Sequence, residues 1–200
     1  PSGIELCVDA NQTLSLDQAK LWLNFLSEHR FKWLEEPFAP DNVFLFKALI
    51  EFKRTNNLSC EVVTGENCPN YYTASSLMES GIDRFQSDPC RMLGLLDSVS
   101  VCIIAAMQKC TVTPHAGGSS LDELSPHIQL FNLARIRNDL DPLKSLTENV
   151  GFCSRFFEVP TVVERGCVLT PVHPGLLVGV PDFVISNMID YKEGTSWLEL

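Results

Sequence analysis

Positive charge is scarce in this chain: 15 lysines and arginines stand against 25 aspartates and glutamates in 200 residues, a formal net charge of −10. An acidic surface repels a phosphate backbone, which argues against nucleic acid as a partner. Long apolar runs are also missing. None reaches the roughly 18 to 20 residues that a membrane-spanning helix requires, so no membrane role is expected. The first residues show neither the charged segment nor the apolar stretch of a signal peptide. The eight cysteines include no C-x-x-C pair, and several, such as Cys102, lie in apolar runs where a thiol behaves as a small hydrophobe. A reducing compartment, cytoplasmic or mitochondrial, is therefore expected rather than a disulfide scaffold. Neither G-x-G-x-x-G nor G-x-x-x-x-G-K-[ST] occurs, which removes the dinucleotide-fold and P-loop readings. The chain opens at Pro1 rather than Met, and is read as processed or incomplete.

What is present is a repeating unit. With 45% hydrophobic residues the chain can bury a domain-sized core. Short apolar runs at residues 4–8, 31–34 and 60–63 suit buried strands, and each leads to an acid, Asp9, Glu35 or Glu66, spaced 26 and then 31 positions apart. The intervening stretches read as amphipathic helices. Ser15 or Asp17 caps a helix with Leu16, Ala19, Leu23 and Leu26 on its inner stripe; Asp41 begins a second with Val43, Phe46, Leu49 and Ile50 inward. A third covers residues 71–80, closed by Gly81. A strand at 84–86 leads to Asp88, a helix at 93–109 has Leu95, Val99, Ile103 and Ala106 as its apolar face, and a strand at 111–113 leads to His115.

Such alternation predicts an α/β fold of parallel strands with helical crossovers. A (β/α) barrel is favoured over a doubly wound sheet, because polar residues after successive strands converge at a barrel mouth. Counting one more strand near Leu146 gives about six of the eight that closure needs, so the barrel is expected to be incomplete. The expected division is a partial barrel over residues 1–155 and a C-terminal segment over 156–200, rich in Pro and Gly, lying outside it.

Three carboxylates at successive strand ends form a hard oxygen donor set, which suits Mg²⁺. Asp88 and His115 add one group per unit. A carboxylate bonded to one imidazole nitrogen fixes the tautomer and supports a protonated ring, usable as an acid or base near neutral pH. Taken alone, the pair reads equally as a helix-capping Asp and a surface His. Gly117 and Gly118, just beyond, permit close approach of substrate to backbone.

Five motifs in order narrow these alternatives: Val8-Asp9-Ala10-Asn11-Gln12; Leu34-Glu35-Glu36-Pro37 with Pro40-Asp41; Thr64-Gly65-Glu66-Asn67-Cys68; Gln86-Ser87-Asp88-Pro89-Cys90-Arg91; and Pro114-His115-Ala116-Gly117-Gly118 with Leu121, Glu123 and His127 beyond. Together they resemble the enolase superfamily, mandelate racemase subgroup, and within it the L-fuconate dehydratases. The resemblance implies a (β/α)7β TIM-like barrel with a capping domain that the C-terminal tail joins. It also implies Asp9, Glu35 and Glu66 as Mg²⁺ ligands and Asp88 and His115 as the catalytic dyad. Asn11 would sit near substrate, and Glu148, in Leu146-Thr147-Glu148-Asn149, would be the substrate-holding Glu of the last strand. The implied chemistry is a hydro-lyase of carbohydrate acid catabolism: a proton next to a carboxylate is removed, Mg²⁺ stabilises the enediolate, and the neighbouring hydroxyl is lost. The expected ligand is a small sugar acid, and a homo-oligomer is compatible with the family. The family's K-x-K lysine has no counterpart in this sequence. Another dehydratase or racemase of the subgroup, or a non-catalytic metal-binding barrel fragment, is the alternative.

Overall fold

The computed structural model describes residues 3–117, 121–141, 145–151, 154, 157–172, 179 and 182. Expectations that fall on Gly118, Leu143, Pro174, Gly175, Leu176 and Pro181 lie outside those residues. Five strands alternate with helices: β1 (Cys7–Asp9), α1 (Leu16–Glu28), β2 (Trp33–Glu35), α2 (Val43–Thr55), β3 (Glu61–Thr64), α3 (Tyr71–Glu79), β4 (Arg84–Phe85), α4 (Leu95–Gln108) and β5 (Thr111–Val112). They form one parallel sheet in sequential order, with Asp9 opposite Glu35 and Glu35 opposite Val63. The fold class is thus α/β with a parallel sheet, as expected.

Local chemistry explains the helix ends. At α1, the Ser15 hydroxyl accepts from the Gln18 backbone N–H while the Gln18 side chain accepts from Ser15 N, a reciprocal capping box. At α3, Asn70 Oδ1 accepts from Thr73 N at 2.9 Å. Gly81 then turns the chain at φ +92°. α2 starts two residues after Asp41, following Asn42 and without a side-chain cap.

The inner stripes of α1 and α2 are as predicted: Ala19, Leu23, Leu26, Phe46, Leu49 and Ile50 are buried. α4 differs. Leu95 and Ile103 are exposed, and Ser98, Val101, Cys102 and Ala105 face inward. This helix is apolar on nearly every side, so periodicity offers competing stripes, and the small side chains win because they allow close packing.

Strand residues alternate between two environments. Cys60, Leu34, Val62, Phe85 and Val112 pack with the helices in the core. On the other face Arg84 donates from Nε to Glu61 Oε2 (3.0 Å) and from Nη1 to Thr113 Oγ1 (2.8 Å), with its guanidinium carbon 5.5 Å from the centre of the Trp33 ring. Among the described residues the helix-packed apolar cluster therefore lies on one face, with Val63 buried on the other, whereas a doubly wound sheet buries both in helices.

The first apolar run is only partly used, since Ile4 and Leu6 are exposed ahead of β1. The strand expected near Leu146 is not formed over residues 145–151. Side chains take up that backbone instead: Gln129 Nε2 donates to Leu146 O (2.8 Å), and the N–H groups of Val150 and Gly151 donate to the Asp122 carboxylate (2.7 Å each). Asp122 lies in α5 (Leu121–Phe131), which runs on into a π-helical turn, Asn132–Arg137. In the tail, β6 (Val163–Glu164) and β7 (Cys167–Val168) pair antiparallel across Arg165 and Gly166, both at positive φ. Among the described residues no helix is long and apolar enough to cross a membrane.

Candidate active site

The parallel register aligns the strand ends and so gathers the predicted residues at one edge of the sheet. Asp9 and Glu35 are the last residues of β1 and β2, and Glu66, Asp88 and His115 follow β3, β4 and β5 by two or three residues. Asp9 is exposed, and its carboxylate accepts from Asn11 N (2.8 Å) and Asn11 Nδ2 (2.6 Å). Asn11 and Gln12 both adopt left-handed backbone, which brings the amide back over the carboxylate.

Glu35 accepts from Trp33 Nε1 at 3.0 Å. Burial, reinforced by the charges of Asp9 and Glu148, pushes its pKa up to about 7 against the opposing hydrogen bonds from Gln86 and Trp33. Glu36, fully buried, has a similar bias. Its Oε2 accepts from Gln12 Nε2 (3.0 Å) and Asn67 Nδ2 (2.9 Å), and burial raises its pKa.

The tightest cluster joins the last three groups. Asp88 is fully buried, and its Oδ1 accepts from the N–H groups of Cys90 (2.7 Å) and Arg91 (3.1 Å). Its Oδ2 lies 2.9 Å from His115 Nδ1, and His115 Nε2 lies 3.2 Å from Glu66 Oε2. Burial alone lowers the pKa of His115, but the Asp88 hydrogen bond and the charges of Glu66, Glu148 and Asp88 outweigh it and raise the value. For Asp88 the balance runs the other way. Burial pushes its pKa up, and the bonds from His115, Cys90 and Arg91 bring it below the ordinary value. Both shifts favour an imidazolium beside a carboxylate.

Two glycines make this packing possible. Gly65 has φ +140°, and a Cβ there would sit 2.8 Å from Gln86 N; a Cβ on Gly117 would sit 2.4 Å from His115 Nε2. Glu148 reaches the same place by its side chain, where Oε2 accepts from Ala116 N at 2.9 Å.

The structure therefore brings together Glu66, Asp88, His115 and Glu148, and pairs Asp9 with Asn11. It does not draw Asp9, Glu35 and Glu66 into a ligand set. Among the described residues no group of three or more His, Cys, Asp or Glu side chains is arranged to hold a metal ion. The donor chemistry nonetheless fits a hard cation, because Asp9, Glu35 and Glu66 each offer carboxylate oxygens along one edge of the sheet. Sequence reading missed Arg91, Glu36, Asn67 and Gln86. All four lie inside the quoted motifs, yet their partners come from neighbouring units and no spacing within one unit signals them.

Residues 1–182 match the model of the enolase C-terminal domain-like family. L-galactonate dehydratase of Hypocrea jecorina is 30% identical over 197 residues, covering 98% of this chain and 42% of that protein. The crystal structure of human mitochondrial enolase superfamily member 1 superimposes with a TM-score of 0.89 at 26% identity, over 100% of this chain and 44% of the other. That of L-talarate dehydratase from Polaromonas sp. JS666, complexed with Mg and L-glucarate, gives 0.74 at 20% identity over 93% and 45%. The chain spans less than half the length of the relatives it matches.

Proposed function

The chain belongs to the enolase C-terminal domain-like family, and on that premise we propose that it forms the metal and dyad half of a Mg²⁺-dependent acid-sugar dehydratase resembling L-fuconate dehydratase. The observation that carries this reading is the contact series Asp88, His115, Glu66 at the ends of three consecutive strands. Asp9, Glu35 and Glu66 would hold Mg²⁺, which when bound supplies Lewis-acid stabilisation of charge developing on the substrate carboxylate. His115, kept protonated by Asp88 at Nδ1, presents Nε2 as the acid. It donates its proton to the hydroxyl leaving from the carbon next to the one that loses its proton, so that water departs and a 2-keto acid results. Asn11 and Glu148 would orient the sugar acid, and no lysine of this chain is assigned the base.

The one-sided core supports reading residues 1–155 as part of a (β/α) barrel wall. Seven free cysteines among the described residues support a reducing compartment, mitochondrial or cytoplasmic.

A panel of sugar acids offered with Mg²⁺ to the full-length protein and scored for 2-keto product tests the reading. His115→Asn is expected to lower turnover at least about 100-fold, as loss of a general acid does, with Mg²⁺ affinity nearly unchanged. Absence of keto product from every sugar acid, or unaltered turnover in His115→Asn, overturns it. Epimerisation without keto product identifies a racemase instead.

A further inference from the structure

Arg91 takes no part in the reaction proposed above, yet its guanidinium engages two of that reaction's carboxylates at once. Nη1 donates to Glu66 Oε1 at 2.7 Å and to Asn67 Oδ1 at 3.1 Å, and Nε stands 3.4 Å from Asp88 Oδ2. Its backbone is anchored rather than loose. The N–H groups of Cys90 and Arg91 close on Asp88 Oδ1, and Met92 N donates to Asp88 O at 3.0 Å. The side chain, by contrast, is 43% exposed, while that of Glu66 is 11% exposed. The partner of this ion pair that reaches solvent is therefore the arginine.

Oε1 of Glu66 has no capacity to spare. Oε1 already accepts from Arg91 and from Asn67 Nδ2 (3.1 Å), and Oε2 faces His115. A carboxylate oxygen offers two good lone-pair directions, so a cation that takes Oε1 must displace one of its donors. Arg91 is the donor that leaves at least cost, because its head reaches water and Asp88 remains beside it. We infer that Arg91 is a positioning residue that competes with the divalent metal for Glu66 and thereby sets the metal affinity of the site. The inference rests on the assignment of Glu66 as a metal ligand.

The opposite role is equally definite. An arginine that merely orients Glu66 for the metal would weaken binding when removed. The test is Mg²⁺ titration calorimetry on the full-length protein, with Mn²⁺ followed by electron paramagnetic resonance for weaker sites. Arg91→Gln is expected to tighten binding by about 2- to 5-fold, the scale of one partly exposed ion pair. In a Glu66→Gln background the same substitution should give no gain. Unchanged or weaker affinity in Arg91→Gln, or a gain that persists without Glu66, overturns the inference and leaves the metal site standing. Wild-type affinity in Glu66→Gln removes the metal assignment itself, and the inference with it. Arg91→Lys keeps the charge but not the fork, and serves where Arg91→Gln does not fold. It should tighten binding by a smaller factor, and weaker binding there also overturns the inference.

Discussion

At the scale of residues, the buried Asp88 and His115 pair has a pH signature whose sign follows from the two shifts. His115 has a raised pKa, so its contribution is complete below the ordinary value of 6.5 and is lost as pH rises through the folded one. Asp88 has a lowered pKa, so its contribution is present above 3.8 and is lost as pH falls through its folded value. The pair stabilises most between those limits. Asp88→Asn should cost about 3 to 5 kcal/mol near pH 5.5, as expected when one partner of a buried ion pair is removed, and less at alkaline pH. Urea unfolding at a series of pH values measures this, and a loss independent of pH would mean that the pair is not ionised. Glu35 has the opposite bearing on stability to Asp88. With its pKa raised to about 7, the folded state binds the extra proton, so stability without metal should fall as pH rises from about 4.5 to 7, and Glu35→Gln should flatten that slope.

At the scale of elements, what was legible in the sequence depended on contrast. α1 and α2 alternate apolar and charged positions sharply, and their buried stripes follow from spacing alone. α4 lacks that contrast, and its inward face of Ser98, Cys102 and Ala105 is selected by packing against α3, the π-helical turn and β5. The residue ending each strand was legible for another reason: the repeat recurs, and a parallel register carries equivalent positions to the same edge. The contacts of Arg91, Glu36 and Asn67 were not, because each depends on a loop conformation and on a neighbour from another unit. The joint after β3 shows how tightly such loops are built. Gln86 N donates to Thr64 O at 3.0 Å directly beside Gly65, whose φ of +140° disfavours any side chain. Gly65→Ala should therefore destabilise by about 1 to 3 kcal/mol through backbone strain and the clash with Gln86, and should weaken Mg²⁺ binding by moving Glu66. Thermal unfolding together with calorimetry would read both; an unchanged transition would mean that the β3 to β4 spacing is looser than drawn.

At the scale of the whole molecule, the sheet presents an open flank at β1, where Cys7 and Asp9 are exposed and no described strand pairs on the outer side. Helix α1 adds exposed apolar area of its own: Leu21, Trp22 and Phe25 are each more than two-fifths exposed, with the Trp22 and Phe25 rings in edge contact at 6.2 Å. An unpaired strand edge and exposed aromatic surface are each a template for association, the one through strand pairing and the other through apolar burial. The 200-residue chain, 22.3 kDa as a monomer, should therefore associate as its concentration is raised. Trp22→Glu combined with Phe25→Glu should shift it back towards monomer, because these side chains lie outside the core and carry only the surface term. Light scattering on a size-exclusion column decides the matter. A monomer at every concentration would mean that the charge of −10 outweighs the apolar flank, whereas association unmoved by the double substitution would assign the contact to the β1 edge itself.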